Sequence, residues 1–489
     1  MVVVLTHSDA MDKNQWEASV RRCRAPARRR TLLASAAGCV ALGGVLSLLP
    51  GGRAGMPPPA PGPGRQAMNA VTDGRPAALP DLAALIGARE AQVRAQPRDA
   101  RAWAVLGAAY VEQGQRAADA AYYPRAEEAL RRSLTVRTGR HARTADTLTA
   151  LDGLAALAVA RRDFSEARKW GESARELDPA RWTTRGLLID AYTGLGDRKE
   201  ARRQLGRLLE LRTDPAVRAR TAAVYWDRGW REDAQAQLAD AAAGARSPAE
   251  RAAYLERAGQ LAWERGEREE ALRHFQEAVR TDADQRAAQA GQGRALAALG
   301  RTSEALAAYR MAYAKQPCPR YALELGELYE SLGLGQAARV QYDLVRTGVR
   351  EAAEGGADEG LVLGQLEADH GNPRTAVRRL RAEWQRQPGI AVTDALGWAL
   401  HRAGRHKEAL SFARTATDDS HGGGVRSAPY VYHRGMIERA LGMDGSARRH
   451  LEEALRINPY FSPLRAPAAR AALAELGEPS LKDAPEPGG

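Results

Sequence analysis

Along residues 258–317, small, apolar and charged positions recur twice in the same order. Gly259 falls on Gly293, Gly266 on Gly300, Ala271 on Ala305, Phe275 on Tyr309 and Ala278 on Ala312, each pair 34 residues apart. The pattern predicts one helix over roughly Arg257 to Arg265, stopped by Gly266, which accepts the left-handed conformation past a helix end. A second helix follows, roughly Arg268 to Thr281. Gly259 and Ala271 let the two backbones approach closely, and Phe275 fills the gap to the next pair. A helix pair this short cannot bury its apolar side alone, so it stacks on copies of itself.

The same spacing continues through the chain. Trp103, Leu106, Gly107 and Tyr110 stand in a W-x2-L-G-x2-Y order. Leu325, Gly326 and Tyr329 repeat it with Ala322 in the Trp position, and Leu396 and Gly397 repeat it with Leu400 in the Tyr position. Pro179, Pro317, Pro388 and Pro459 close repeats, the last three 71 residues apart. This pattern resembles the tetratricopeptide repeat, with its A-x3-F second half and closing Pro. The resemblance implies an all-α fold: a right-handed α-solenoid of about ten stacked helix-turn-helix repeats.

Read in order, the chain has a basic region at 1–30, an apolar stretch at 31–50, a Pro/Gly-rich linker at 51–80 and a capping helix at 81–97. The repeat array covers 98–461, a second capping helix 462–477 and a tail expected to be disordered 478–489. Asp81 is expected to cap the first helix and Pro467 to open the last, with Gly477 just past its end. Longer connections are expected at Thr347 to Gly360 and Thr417 to Ser427.

Residues 31–50 carry no charge and follow Arg21, Arg22, Arg24, Arg28, Arg29 and Arg30. This is the layout of an export signal, and its length is near that of a membrane span. Three readings fit: an uncleaved anchor, a signal cleaved around Gly52 to Ala54, or a lipoprotein signal at Cys39. The last is disfavoured because the apolar run continues past the cysteine. Basic residues before the span place the array outside the cytoplasm, at the cell membrane or secreted. A cytoplasmic regulator whose apolar stretch is misread is the competing expectation.

Composition narrows the function. Of 489 residues 27% are charged and only 6% aromatic, which suits helices and disfavours strands. The net charge is +12, and half of it lies in residues 1–78, where ten Lys/Arg face four Asp/Glu. The array alternates charge sign along its helices and shows no concentrated basic face, so no nucleic-acid partner is expected. The three cysteines offer no disulfide framework. His401 and His406, five apart, do not align on one helix face, and no metal is expected.

Catalytic patterns are weak. His421 to Gly424 resembles an esterase oxyanion segment, but no nucleophile elbow accompanies it. Gly291-Gln292-Gly293 lacks the rest of a nucleotide signature. The expectation is therefore a non-enzymatic scaffold without cofactor that binds a partner protein or peptide. A helper in assembling or secreting envelope components is an alternative.

In the resembled family, the first helix of each pair lines a concave groove. Residues beside the packing set that should face it are Trp226, Glu256, Gln260, Trp263, Arg294, Arg320, Glu327, Glu330, Gln365, Asp394, Trp398, His401, Tyr432 and Arg439. Trp226 and Trp398 fit a core role equally well. One subgroup clamps a C-terminal carboxylate with Asn and Lys. Asn372 and Asn458 both lie off the first helices, so no such clamp is expected.

Overall fold

The computed structural model describes residues 62–136, 144–418 and 424–477, which fall in one compact unit. The basic region, the apolar stretch at 31–50, most of the proline run and His421 to Gly423 lie outside the described residues. Among the described residues there are 23 helices and no strand.

Two helices precede the array: α1 (Pro63–Thr72) and α2 (Leu79–Ala95). Ten antiparallel pairs follow. They are α3 (Ala100–Ala117) with α4 (Tyr122–Thr135), α5 (Thr144–Ala160) with α6 (Phe164–Leu177), and α7 (Trp182–Gly194) with α8 (Arg198–Leu211). Next come α9 (Pro215–Asp227) with α10 (Arg231–Ala243), α11 (Pro248–Glu264) with α12 (Arg268–Thr281), and α13 (Arg286–Ala298) with α14 (Thr302–Lys315). The last four are α15 (Pro319–Ser331) with α16 (Gly335–Glu354), α17 (Gly360–His370) with α18 (Pro373–Arg386), α19 (Ile390–Arg402) with α20 (His406–Thr417), and α21 (Ala428–Ala440) with α22 (Asp444–Ile457). A single helix, α23 (Arg465–Leu476), ends the stack.

The packing follows the sequence pattern. Phe275 is fully buried, and its ring lies where side chains on α11 and α13 would otherwise be. A Cβ placed on Gly259 would meet that ring at 2.6 Å, and one on Gly291 at 2.5 Å. Tyr309 stands in the same relation to Gly293, at 2.5 Å. Gly266 takes φ +78° at the turn, as the stop signal requires.

Several local readings are corrected. Residues 63–72, assigned to an extended linker, form α1, because Pro63 at its first position suits a helix start. Asp81 lies inside the first turn of α2, and Ala78 holds the cap position. Helix α11 begins nine residues before the expected Arg257, capped by Ser247 and opened by Pro248. The connection expected from Thr347 is largely helical, since α16 continues to Glu354. Helix α23 begins at Arg465, two residues ahead of Pro467.

The coil also closes on itself, which periodicity does not reveal. The turns inside early repeats touch the connections between late ones. Gln316 donates to the Arg116 carbonyl at 3.1 Å, 200 residues away. Arg161 donates to the Gly355 carbonyl at 3.1 Å, and the Asp358 amide returns to the Arg161 carbonyl at 2.9 Å. Arg231 donates to the Arg426 carbonyl at 2.5 Å, and Asn458 to the Trp263 carbonyl at 2.7 Å, each across 195 residues. At 34 residues per repeat, one superhelical turn holds roughly six repeats.

Asn458 is buried and also accepts from the Tyr460 amide at 2.8 Å. Replacing it with alanine is expected to cost about 1–3 kcal/mol, because the buried Trp263 carbonyl loses its donor and the Tyr460 amide its acceptor. Faster hydrogen exchange at the α11–α12 turn checks this. Parental exchange at that turn would show that Asn458 does not hold the contact.

Candidate functional site

Successive turns touch, so the concave face forms an interior that still opens to solvent. The first helices of the pairs line an interior with two cavities. One, of about 780 Å³, is bordered by the segment after α1 and by repeats one to six. The other, of about 740 Å³, is bordered by repeats five to ten and by residues 459–470. Ala287 borders both.

The structure brings nine of the expected groove residues to the second cavity: Glu256, Gln260, Trp263, Arg294, Arg320, Glu327, Gln365, Asp394 and Trp398. Trp226 borders the first cavity. Glu330, His401, Tyr432 and Arg439 border neither, because each is taken up by packing or pairing. Glu330 accepts from the Tyr342 hydroxyl at 2.6 Å and faces His370 Nδ1 at 3.1 Å. Tyr432 is buried between Trp398 and Phe461. Arg439 pairs with Glu475 of α23. His401 stacks on Trp398, with its Nδ1 3.1 Å from His406 Nδ1. Burial, with His406 and His433 nearby, pulls the His401 ring down to about 4, so it is neutral at pH 7.

Much of the wall is internally compensated. Arg294 grips both oxygens of Glu324 at 3.1 Å, donates to Gln260 Oε1 at 2.6 Å and lies 5.8 Å from the Trp263 ring centre. The Tyr309 hydroxyl donates to Glu324 at 3.1 Å. Burial works against the Arg294 charge, but Glu324 and Tyr309 more than offset it and hold its pKa above the ordinary value.

A second group centres on Arg465 of α23, which lies 3.2 Å from Glu327 and also bonds Asp369. Trp398 Nε1 donates to Asp369 at 2.8 Å. Burial pushes both carboxyls up, but Arg465 together with His370 at Glu327 and with the Trp398 hydrogen bond at Asp369 outweighs it and leaves them below the usual range.

Three features remain uncompensated. The side-chain carboxylates of Glu256 and Glu264 have no hydrogen-bond or ion-pair partner among the described residues, although Arg231 donates to the Glu264 backbone carbonyl at 3.0 Å. Burial raises both carboxyls, and Arg294, with Arg257 near the first and Arg231 near the second, only partly opposes it. Gln365 has a buried Oε1 without a donor among the described residues. His433 turns Nδ1 to the Asp394 carboxylate at 2.9 Å and stacks on Trp398 at 4.3 Å, and its buried Nε2 lacks a partner among the described residues.

Glu264, Glu324, Asp369, His433 and Arg465 were not among the expected groove residues. Glu264 was within reach of the sequence: Glu256, Gln260 and Glu264 follow at i, i+4, i+8 on one helix. Arg465 carried no signal, since it lies beyond the last repeat. Neither asparagine of the array is free for a carboxylate clamp: Asn372 caps α18, and Asn458 joins two turns of the coil. Among the described residues no cluster of three or more His, Cys, Asp or Glu side chains could hold a metal ion. No described helix is long and apolar enough to cross a membrane.

A tetratricopeptide repeat family model matches residues 256–317 and 291–347. No curated protein matches the chain. Among solved structures, the APC/C hetero-tetramer Cut9–Hcn1 is similar at 16% identity and TM-score 0.37, with 76% of each chain covered. PilF of Pseudomonas aeruginosa shows 19% identity and TM-score 0.35, over 43% of this chain and 97% of that one. A tetratricopeptide repeat protein from Parabacteroides merdae shows 16% identity and TM-score 0.31, over 54% and 99%.

Proposed function

We propose that this chain is a non-enzymatic interaction scaffold whose concave inner face holds an extended segment of a partner protein. We further propose that residues 31–50 export the array or tether it outside the cytoplasm. The observation behind the first reading is the second cavity, where first helices from six successive repeats converge polar and aromatic side chains on one interior space. An extended chain fits such a space because its own unpaired backbone groups can meet wall side chains. The second reading rests on the uncharged stretch behind six arginines.

Site-directed photo-crosslinking tests the first. A photoreactive residue at Arg320 is expected to capture polypeptide, while one at the outer-surface Arg339 is not. Equal labelling at both positions would overturn it. Protease protection of the full chain in sealed cells tests the second. An array cleaved only after the membrane is breached would overturn export.

A further inference from the structure

The second cavity has a defined charge imbalance. Among its lining residues six carboxylates face four guanidinium groups. Glu324, Glu327 and Asp369 are paired with Arg294 or Arg465, and Asp394 faces His433. Glu256 and Glu264 are the carboxylates left over, and of the guanidinium groups Arg320 and Arg470 form no ion pair with them. Both belong to α11 and both border the cavity.

Eight residues along a helix advance about 12 Å. In an extended peptide, side chains alternate sides and advance about 3.3 Å per residue, so residues i and i+4 share a side and lie about 13 Å apart. The two unpaired carboxylates therefore match two basic side chains separated by three residues of extended chain. Between them, the Gln260 amide oxygen is taken up by Arg294 and does not offer a third acceptor.

An independent feature borders the same space. His433 is 8% exposed, its Nδ1 is occupied by Asp394, and its Nε2 has no partner among the described residues. Gln365 Oε1 is likewise buried without a donor. Both unmet groups suit hydrogen bonds to a peptide backbone, which carries a donor and an acceptor at nearly every residue.

Resting on the scaffold reading above, we infer that the second cavity takes an extended segment with two Lys or Arg residues at i and i+4. Glu256 and Glu264 pair with the two cations. Gln365 and His433 meet the intervening backbone. Desolvated carboxylates gain an ionic partner on binding, and their selectivity excludes acidic segments, which the cavity's net charge repels.

The test uses the folded full chain and labelled peptides in fluorescence anisotropy. Peptide GSRSGSRSG, with arginines four apart, is the probe. GSRRSGSSG, with adjacent arginines, and GSESGSESG, with glutamates, are the controls. The probe is expected to bind at least about tenfold more tightly than either control, and more weakly as salt rises. Glu256→Gln and Glu264→Gln are each expected to weaken it about tenfold, with the glutamate control unaffected. Circular dichroism and the melting transition establish that both variants stay folded.

Equal binding of all three peptides, no binding of the probe, or unchanged binding by folded variants would each overturn the inference. Should Arg320 crosslink segments without paired basic residues, the scaffold reading stands and this one fails. Absence of any inner-wall crosslink would overturn the scaffold reading and this inference with it.

Discussion

Replacing Phe275 with alanine is expected to destabilise the array by about 3–5 kcal/mol, the range for truncating a buried aromatic that its surroundings cannot replace. The ring is fully buried and lies against two backbones at once, over Gly259 on α11 and Gly291 on α13. Neither glycine carries side-chain atoms that could relax into the space. Gln292 also donates to the Phe275 carbonyl at 3.2 Å, which fixes the helix beneath the cavity. The substitution therefore weakens the junction between repeats five and six, near the middle of the stack. Urea unfolding checks the magnitude. A loss below about 1 kcal/mol would mean that the junction collapses onto the space and that the ring is not its keystone.

Arg465→Met is expected to cost about 3–5 kcal/mol at neutral pH, because it takes the nearest counter-charge from two buried carboxylates and leaves only Arg402, 3.7 Å from Asp369, and His370, 3.7 Å from Glu327. Glu327 and Asp369 have side chains 11% and 12% exposed, so water does little to replace the guanidinium. The effect has a defined pH course. In the parent both carboxyls titrate below their ordinary range, so their stabilising contribution is full above the unfolded value near ~4 and fades as pH falls through the folded values. In the variant burial is opposed by His370 at Glu327 and by Trp398 and His433 at Asp369 but no longer by Arg465, so both carboxyls titrate higher than in the parent. The stability gap between parent and variant should be widest near neutrality and narrow in acid. Denaturation curves across that range check the sign, and a gap that is constant with pH would contradict the ion-pair account.

The sequence made the repeats legible because each repeat is a local solution to one packing problem. Gly259, Ala271 and Phe275 return at fixed spacing because a small residue must face an aromatic in every layer, and that rule operates within about one repeat length. The groove positions were partly legible for the same reason. Residues beside the packing set on α11, α13 and α15 reach the interior, as Glu256, Arg294 and Glu327 do. Tyr432 was misplaced because a first-helix aromatic near the C-terminal end is covered by Phe461, which follows the last helix pair. Arg465 and Asn458 were invisible for a related reason. Their partners, Glu327 and the Trp263 carbonyl, are set by how the coil winds, and winding accumulates from small angles between repeats that no single residue encodes.

Those long-distance bonds alter how the molecule should come apart. A simple solenoid unravels from its ends, since each unit touches only the units beside it. Here the tenth repeat is fastened to the fifth through Asn458, and the seventh–eighth connection to the second through Arg161. Fraying at either terminus must first undo a bond to the interior of the stack. Melting should accordingly be sharper than in an open spring of the same number of units. Assembly should be slower, since loops of nearly two hundred residues have to close before the final bonds form.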